Sequence, residues 1–569
     1  MGPETVMKKK VSKKQYTKSL ESLSIQEIYH TLIADYGIDF QFQENELKNL
    51  PKHSPFIIVS NHPLKGIDSI LMLKVIAEVR PDIKIANDVI LPSYPSAKKY
   101  FIFSHKFHQT RLSRKKAIEY LKQGKPLGIF PAGDFSLFSL SADFSSDPIW
   151  SPETIRFIKS VKVPIVPVYF QVKSSLIQSL LQGNYWLMPL LANTASKSKT
   201  RSIQLRIGSP ISIEEQTNFN NMDKFGRFLR SKVYCLGSPI ELPNFFLPQL
   251  INHKKQELIV SPLSGAELRD EVEQIKKEYL LFDSGSYSVL CSPSNKIPLM
   301  MQEIGREREI TFREVGEGTN RSIDLDEFDL YYHQLFIWDN TNHALVGAYR
   351  VGKGNEIMQQ YGIKGFYIQS LFLIHKDAGN ILKQALELGR SFVVPAYQKQ
   401  PLPLFLLWKG ILYFLLRNPE YRYLIGPVSI SNNYSKASKS LITKFMLEHF
   451  FHRELAKLFK PRNAFKAKLK YDLDVMVENT KNNLNKLDSI ISEIEFDHYK
   501  VPVLLKKYLK MNAKIIAFNI DPLFNNALDG LIILDLLDVP PSTIQSLLKE
   551  INDENLVNRF SHEKQYINY

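Results

Sequence analysis

The sequence predicts an α/β protein that is organised as two domains. Its 569 residues are too many for one hydrophobic core, so two large domains are the natural expectation. In the first half, short apolar runs of strand character alternate with runs of helical periodicity, a pattern typical of an α/β domain. In the second half, two β-like runs lie close together on either side of a polar loop, which predicts an antiparallel hairpin. The two halves are therefore expected to fold differently.

The first half leads to a polar corner between a predicted strand and a predicted helix. Apolar residues recur at helical spacing over residues 25–36, and residues 56–59 form an apolar run of strand character. This run stops at Asn61 and His62, and the Pro63 and Gly66 that follow predict a loop. Asp68 then occupies the position expected for the N-cap of a second helix.

His62 and Asp68 are the candidate catalytic residues of this corner. A carboxylate at a helix start can meet an imidazole that follows a strand, and it would then fix the histidine tautomer. The other ring nitrogen could accept the proton of a hydroxyl group. For an isolated pair, a loop histidine and an ordinary helix cap would be the commoner interpretation.

Three later segments complete the predicted first domain. Residues 126–136 predict a strand that ends in a glycine turn, where main-chain N–H groups can face a bound group or an oxyanion. Residues 163–170 predict a core strand, and residues 206–211 predict the last strand of the domain. Between them, the apolar residues 176–191 are a candidate for an acyl channel or a membrane-facing helix.

The Asn-His-…-Asp segment resembles the corresponding box of the glycerolipid acyltransferases of the lysophosphatidate acyltransferase type. Five residues separate His62 from Asp68 instead of the usual four, as in ornithine-lipid O-acyltransferases and the hemolysin-like acyltransferases. A second box of the family, Phe-Pro-Glu-Gly-Thr-Arg-Ser, is represented with Ala132 and Phe135 in place of its Glu and Arg. Because those two residues hold the acceptor phosphate in the family, the resemblance implies an acceptor without one. It covers about residues 25–245 and assigns substrate contacts to Asn61, Pro131, Gly133 and Asp134.

Prolines interrupt the pattern between the two halves. They occur at Pro239, Pro243, Pro248 and Pro262, before a charged helix predicted over residues 266–281. We predict a basic flexible arm over residues 1–22, a first domain over 23–258, a second domain over 259–545 and a C-terminal tail over 546–569.

The second half combines an acidic segment with several strands. Residues 335–338 and 344–351 predict the hairpin, and residues 366–371 and 386–394 predict further strands. The acidic residues within 324–329 could be a solvated loop or a calcium site. Their spacing does not match an EF-hand, so no metal site is predicted.

These segments together resemble the ornithine-lipid N-acyltransferases and, more distantly, the homoserine-lactone synthases. Both families have the GNAT-type α+β fold. The matching positions are Arg313, Asp326, Asp329, Arg350, Glu387 and Arg390, with Asp324 as a looser match. The resemblance implies transfer of a 3-hydroxyacyl chain from acyl carrier protein to the amine of an amino acid. A carboxylate such as Glu387 suits removal of the amine proton, and arginines suit the substrate carboxylate.

The amino-acid composition indicates which kinds of partner and which cellular location to expect. A net charge of +15 and a pI near 9.3 point to an anionic partner, either a lipid surface or nucleic acid. No recognition helix or base-stacking platform is evident, so no nucleic acid is predicted as a partner. Two cysteines are too few for a disulfide framework, and no secretory signal or spanning segment is recognised. We expect a bacterial cytoplasmic enzyme, peripheral on the inner face of the cytoplasmic membrane.

The main interpretation is a bifunctional aminolipid synthase. The second domain would N-acylate an amino acid, ornithine being favoured over glycine, lysine or a serine–glycine head group. The first domain would then O-acylate the 3-hydroxyl of the lyso-lipid, and acyl carrier protein would be the donor without a further cofactor. An alternative is a lysophospholipid O-acyltransferase with a regulatory second domain. A peripheral membrane or nucleic-acid-binding protein is the third interpretation, and it would leave both acid–base sets without a role.

Overall fold

The computed structural model describes nine stretches of the chain. They are residues 23–64, 66–86, 95–102, 111–132, 150–172, 201–237, 256–466, 472–495 and 499–543. Several predictions therefore fall outside the described residues. These are the basic arm over 1–22, the tail over 546–569, the apolar segment 176–191, and the candidate site residues Gly133 and Asp134.

The strands and helices of the described residues follow in chain order. The strands are β1 Ile38–Phe42, β2 Ile57–Ser60, β3 Lys84–Ala86, β4 Leu127–Ile129, β5 Ile165–Val172, β6 Arg201–Ile207, β7 Leu280–Ser284, β8 Tyr287–Pro293, β9 His333–Asp339, β10 Ala344–Lys353, β11 Phe372–Ile374, β12 Ala385–Val393, β13 Tyr423–Ile430, β14 Phe459–Pro461, β15 Lys514–Asp521 and β16 Ala527–Asp535. The helices are α1 Ile25–Tyr36, α2 Ile67–Ile76, α3 Arg111–Lys122, α4 Pro152–Ser160, α5 Ile213–Thr217, α6 Met222–Cys235, α7 Gly265–Tyr279, α8 Pro298–Glu314, α9 Gly354–Gln360, α10 Ile368–Leu371, α11 Gly379–Lys383, α12 Pro401–Arg417, α13 Lys436–His449, α14 Arg453–Ala456, α15 Leu473–Thr480, α16 Leu484–Ile494 and α17 Val503–Lys510.

The chain divides into two compact units. The first unit comprises residues 1–243 and 469–498, and the second unit comprises residues 244–468 and 499–569. The sequence predicted a single boundary between the two domains, near residue 258, and one continuous second domain. In the structure, α15 and α16 belong to the first unit, although in the chain they follow most of the second unit. No local pattern in the sequence predicts this.

The first unit is built on a six-stranded sheet in the order β1-β6-β5-β2-β4-β3. β2 is central, and it pairs in parallel with β4 on one side and β5 on the other. The chain leaves β2 toward β3, returns to β4 and then crosses to β5, so β2 lies where the direction of the connections reverses. In open α/β sheets, ligands bind at the carboxyl ends of strands at such a reversal. The polar corner that carries His62 follows the carboxyl end of this strand.

The second unit contains an eight-stranded sheet in the order β15-β16-β13-β12-β10-β9-β8-β7. All neighbours in it are antiparallel except β12 and β13, which are parallel. The predicted hairpin is confirmed as β9 and β10. The mixed sheets of the two units confirm the predicted α/β class of the chain.

One local prediction is corrected by the second unit. Residues 366–371 were predicted as a strand, but the helix α10 occupies 368–371, because the main-chain N–H groups of Tyr367 and Ile368 donate to the Glu387 side chain rather than to a strand. The apolar segment from Pro401 forms α12, most of which is buried. None of the helices in the described part of the chain is both long enough and apolar enough to cross a membrane.

A buried ion pair attaches α16 to the rest of the first unit. Glu493 on α16 pairs with Lys232 on α6, and their side chains are 9 % and 8 % exposed. The carboxylate of Glu493 also accepts a hydrogen bond from the main-chain N–H of Ser209. Removing one partner of a buried pair leaves an uncompensated charge and is strongly destabilising.

We therefore expect Glu493→Ala to destabilise the first unit by about 3 kcal/mol, lowering its thermal midpoint by roughly 5–10 °C. Calorimetry or hydrogen exchange of the full chain measures this. Glu478→Ala is the matched control, because Glu478 pairs with Lys224 at the surface with both side chains about half exposed, where an ion pair contributes at most about 1 kcal/mol. Equal midpoints for the two variants would contradict a stabilising role for the buried pair.

Candidate active sites

His62 and Asp68 meet at the end of the central strand of the first unit. Nδ1 of His62 lies 2.8 Å from Oδ2 of Asp68, and both side chains are buried. Because an ionised carboxylate only accepts hydrogen bonds, this contact places the proton of the neutral imidazole on Nδ1. Nε2 is then the nitrogen that would accept a proton from a hydroxyl group. The predicted pairing is therefore present in the geometry.

The position of Asp68 differs from the predicted N-cap. Helix α2 begins at Ile67, and its N-cap is Gly66, whose φ of 97° lies in the left-handed region. Asp68 instead lies inside the first turn and folds its carboxylate back over the loop. Besides His62, it accepts hydrogen bonds from the main-chain N–H groups of Leu64 at 2.9 Å, Gly66 at 3.1 Å and Ser69 at 2.9 Å. Four donors thus fix the carboxylate that orients the imidazole.

Neighbouring strands position the remaining described residues of this site. The Asn61 side chain donates to the main-chain oxygen of Phe170 and accepts from its N–H, at 2.8 and 2.7 Å. Asn61 therefore ties the corner to β5, and the substrate contact that the resemblance assigned to it stays a prediction. The ring of Phe130, after β4, lies 4.3 Å from the His62 ring, centroid to centroid. Pro131 follows it and is buried, with its main-chain oxygen accepting from Ser151 N–H at 2.9 Å.

In the second unit, three arginines and three aspartates form a buried ionic cluster. Arg308 donates from Nε to Asp324 at 2.9 Å and from Nη2 to Asp329 at 2.7 Å. Arg350 pairs with Asp326 and lies 3.5 Å from Asp329. Arg390 lies 3.4 Å from Asp324 and 3.3 Å from Asp326. We call these six residues the ionic cluster.

The cluster favours the charged forms of four of its members, Asp326, Asp329, Arg350 and Arg390. Burial alone would raise the pKa of Asp326 and Asp329, but the guanidinium groups of Arg350 and Arg308 outweigh it and lower both pKa values. The same pairing raises the pKa of Arg350 and Arg390 despite their burial. The predicted substrate-binding arginines therefore already have carboxylate partners within the protein.

Arg308 is a cluster member that the sequence interpretation missed, while the predicted Arg313 lies outside the cluster. Arg313 pairs with Glu309 at 2.7 Å and donates to the main-chain oxygens of Glu257 and Arg321. A signal for Arg308 did exist in the sequence. It lies four residues after Ile304 and four before Phe312, on the apolar face of α8, where an unpaired arginine would be costly.

Glu387 is fully buried and is held by hydrogen-bond donors. Its carboxylate accepts from Ile368 N–H at 2.7 Å, from Tyr367 N–H at 3.1 Å and from the Tyr332 hydroxyl. Burial raises its pKa to about 7, although these donors oppose the shift. These hydrogen bonds fix the Tyr367 segment against Glu387, and the catalytic role of Glu387 stays a prediction. The ring of Tyr367 lies against both Arg350 and Arg390.

A cleft opens where β12 and β13 separate. Their parallel pairing ends at Glu387 and Ile425. A Cβ atom on the next residue, Gly426, would lie 2.1 Å from the Leu388 carbonyl oxygen, so only glycine permits this approach. Beyond it lies a cavity of about 30 Å³ lined by residues 388–391 and 426–428. We call it the strand cleft.

A larger cavity of about 140 Å³ adjoins the strand cleft and shares Arg390, Ser391, Pro427, Val428 and Leu504 with it. Its polar wall includes Glu317, Asp521, Asp529, Ser429 and Arg390. Arg390 reaches both cavities because it lies at a bulge in β12, with φ of 50°. None of the three carboxylates was predicted as a site residue. We call this the carboxylate cavity.

The comparisons with known proteins agree with two acyl-transferring units. Residues 41–171 match a family model described as Acyltransferase, and residues 308–408 match one described as Acetyltransferase (GNAT) domain. The chain therefore joins an acyltransferase domain and a GNAT domain in one polypeptide. This confirms the fused two-domain architecture expected from the sequence.

Two curated relatives are named glycine N(alpha)-acyltransferase. The protein of Bacteroides thetaiotaomicron is 31% identical over 209 residues, which cover 35% of this chain and 62% of the relative. That of Phocaeicola vulgatus is 28% identical over 283 residues, which cover 47% of this chain and 79% of the relative. The chain thus spans less than two thirds of the first relative. Among solved structures, the 1-acyl-sn-glycerophosphate acyltransferase PlsC of Thermotoga maritima matches with 19% identity and a TM-score of 0.26, covering 40% of this chain and 81% of that one.

Replacement of Arg308 tests the cohesion of the ionic cluster. We expect Arg308→Met to destabilise the second unit by about 3–5 kcal/mol, because Asp324 and Asp329 would lose their buried counter-charge. Arg313→Met, on the same helix, is the matched control, since Glu309 keeps donors from Thr319 and Asn320. Denaturant unfolding followed by Trp fluorescence compares the two. If Arg313→Met is the more destabilising change, the cluster is not the stabilising element inferred here.

Proposed function

We propose that the chain is a bifunctional aminolipid synthase. The GNAT domain would transfer a 3-hydroxyacyl chain from a carrier thioester to the amine of an amino acid. The acyltransferase domain would then esterify the 3-hydroxyl of that lyso-lipid. The observation that carries the proposal is the coexistence, in one chain, of a His62–Asp68 pair at 2.8 Å and a second unit with its own cleft between parallel strands.

The names of the relatives support N-acylation of an amino acid, and we assign this reaction to the GNAT domain of the second unit. They specify glycine as the acceptor, whereas the resemblance in sequence favours ornithine. Glycine and ornithine share an α-amine beside a carboxylate, so the same N-acylation chemistry serves both. Both amino acids belong in an assay of the proposed reaction.

The strand cleft supports a carrier-bound thioester as the donor. Where two strands separate, their main-chain N–H and C=O groups lose each other as partners and can bind an extended chain that carries amide groups. The prosthetic arm of an acyl carrier protein is such a chain. The positive net charge would suit an acidic carrier and an anionic membrane surface, so we propose attachment to the inner face of the cytoplasmic membrane.

The arrangement at His62 supports general-base catalysis of O-acylation. A hydroxyl group is a weak nucleophile until a base removes its proton, and Nε2 of a tautomer fixed by Asp68 can do so. As the C–O bond forms, the C–S bond of the donor breaks, and the proton taken by His62 passes to the leaving thiolate. Every group that this step requires is supplied by the chain or by its two substrates.

We expect His62→Ala and Asp68→Asn to stop O-acylation and to leave N-acylation intact, with a loss of at least about 10²-fold for His62→Ala. Cells of a host that lacks aminolipids, expressing either variant, should accumulate the mono-acylated lyso-lipid. Mass spectrometry of lipid extracts measures both products, and cells without the gene are the blank. Wild-type amounts of the diacyl lipid from His62→Ala would remove the base assignment.

The order of the two steps predicts unequal mutant phenotypes. Asp326→Ala should abolish lyso-lipid and finished lipid together, because it leaves Arg350 and Arg390 without a shared carboxylate. Synthetic lyso-lipid supplied to this variant should restore the diacyl product through the intact first unit. Failure of that rescue in a folded variant would show that the two activities depend on each other.

A further inference from the structure

The carboxylate cavity carries more negative charge than its surroundings neutralise. The ionic cluster is balanced, with three arginines against three aspartates. Glu317, Asp521 and Asp529 add three carboxylates, and Arg390 is the cluster member that reaches them. Buried carboxylates without a paired cation are costly in their charged form, so they either take up a proton or bind a positive group.

Among the described residues, no hydrogen-bond donor reaches the side chain of Glu317. The left-handed Gly316, with φ of 75°, turns the chain after α8, and the main-chain N–H of Glu317 donates to the Phe312 oxygen at 2.7 Å. The side chain then lines the cavity. The residue is 8 % exposed, and within the described residues no hydrogen bond or ion pair reaches its carboxylate.

Asp529 faces the same cavity and is held by one donor. It lies on β16 opposite Ser429 of β13, and the Ser429 hydroxyl donates to its carboxylate at 2.7 Å. Burial raises the pKa of Glu317 and of Asp529 to about 7, and for Asp529 the charges of Asp521 and Glu317 add to the shift. The charged forms are therefore disfavoured until a positive group arrives.

The positive group that fits is an ammonium. In the part of the chain that the structure describes, no set of three or more His, Cys, Asp or Glu side chains is arranged to hold a metal ion. An ammonium has three donors and needs no fixed coordination sphere. The cavity is about 140 Å³, close to the size of an engineered cavity that binds benzene. It would therefore hold roughly six non-hydrogen atoms, the scale of an α-amino acid's reacting end.

We propose that the carboxylate cavity binds the acceptor amino acid, that Asp529 holds its ammonium group, and that Glu317 takes the proton. This assignment rests on the proposed N-acyltransfer. It places the amine beside the strand cleft, where the donor thioester would lie, and it places the acceptor carboxylate toward Arg390. Glu387, whose oxygens are occupied, is then a positioning residue that fixes Tyr367 in the cavity wall.

The step balances in atoms and charge. A proton passes from the ammonium to Glu317, and the free amine attacks the thioester carbon. As the C–N bond forms, the C–S bond breaks and the thiolate leaves with the second amine proton. The products are an amide, a free thiol and a protonated Glu317, which returns its proton to water.

Glu317→Gln and Asp529→Asn test the assignment in the full chain. With a 3-hydroxyacyl carrier-protein thioester and labelled glycine or ornithine, Glu317→Gln should lower kcat of N-acylation by at least about 10²-fold. Asp529→Asn should raise KM for the amino acid about tenfold or more, because it removes a charged hydrogen-bond acceptor. Glu314→Gln, three residues away and exposed, is the matched control and should stay within about twofold of wild type.

Thermal stability distinguishes carboxylates that bind a ligand from carboxylates that stabilise the fold. For an acid whose pKa is raised on folding, the cost to stability appears as the pH rises through the unfolded and then the folded pKa. At pH 8, Glu317→Gln removes that cost, so its thermal midpoint should equal or exceed that of wild type. O-acylation of supplied lyso-lipid should persist in both variants.

Each other result counts against the assignment. If wild type acylates an amino acid and both variants keep kcat and KM within about twofold, the cavity is not the acceptor site and the proposed function stands. A large fall in the thermal midpoint of either variant would make the carboxylates structural and would overturn the assignment as well. If wild type acylates neither amino acid, the proposed N-acyltransfer fails, and this site fails with it.

Discussion

The ionic cluster of the second unit buries six charged groups without leaving a net charge among them. It places Arg308 and Arg350 almost entirely out of solvent, and each lies against two aspartates. Isolated, any one of these groups would be strongly unfavourable in the interior. Together they connect α8, the acidic segment 324–329, β10 and β12. The position of Arg390, and through it of the walls of both cavities, follows from this arrangement.

The corner in the first unit also has to stabilise a buried charge, the Asp68 carboxylate, but it does so in a different way. Asp68 is buried without a permanent cation, and main-chain N–H groups replace one. The loop must fold tightly enough to bring three of them to a single carboxylate, which requires the left-handed Gly66. The imidazole of His62 completes the set of donors, so its orientation is a by-product of satisfying Asp68. The geometry of the His62–Asp68 pair and the stability of the loop depend on the same set of hydrogen bonds.

Glu317 and Asp529 stand apart from these two examples. Asp68, Glu387 and the aspartates of the ionic cluster each have a cation or several hydrogen-bond donors, whereas Glu317 and Asp529 share one serine hydroxyl between them among the described residues. Charged groups left in this way reduce stability, and such strain is concentrated where a ligand supplies the missing partner. The contrast within one unit is the physical basis for assigning the carboxylate cavity to an ammonium.

The sequence by itself determined the local features of this protein. The helix over 25–36, the β9–β10 hairpin and the His62–Asp68 pairing follow from periodicity, turn residues and short-range spacing, which act over a few residues. The assignment of α15 and α16 to the first unit was decided only by the tertiary structure. So were the place of Arg308 in the ionic cluster and the meeting of Glu317 with Asp529, more than two hundred residues apart. These depend on which faces pack together, because burial and charge balance are properties of the assembled core and no local pattern encodes them.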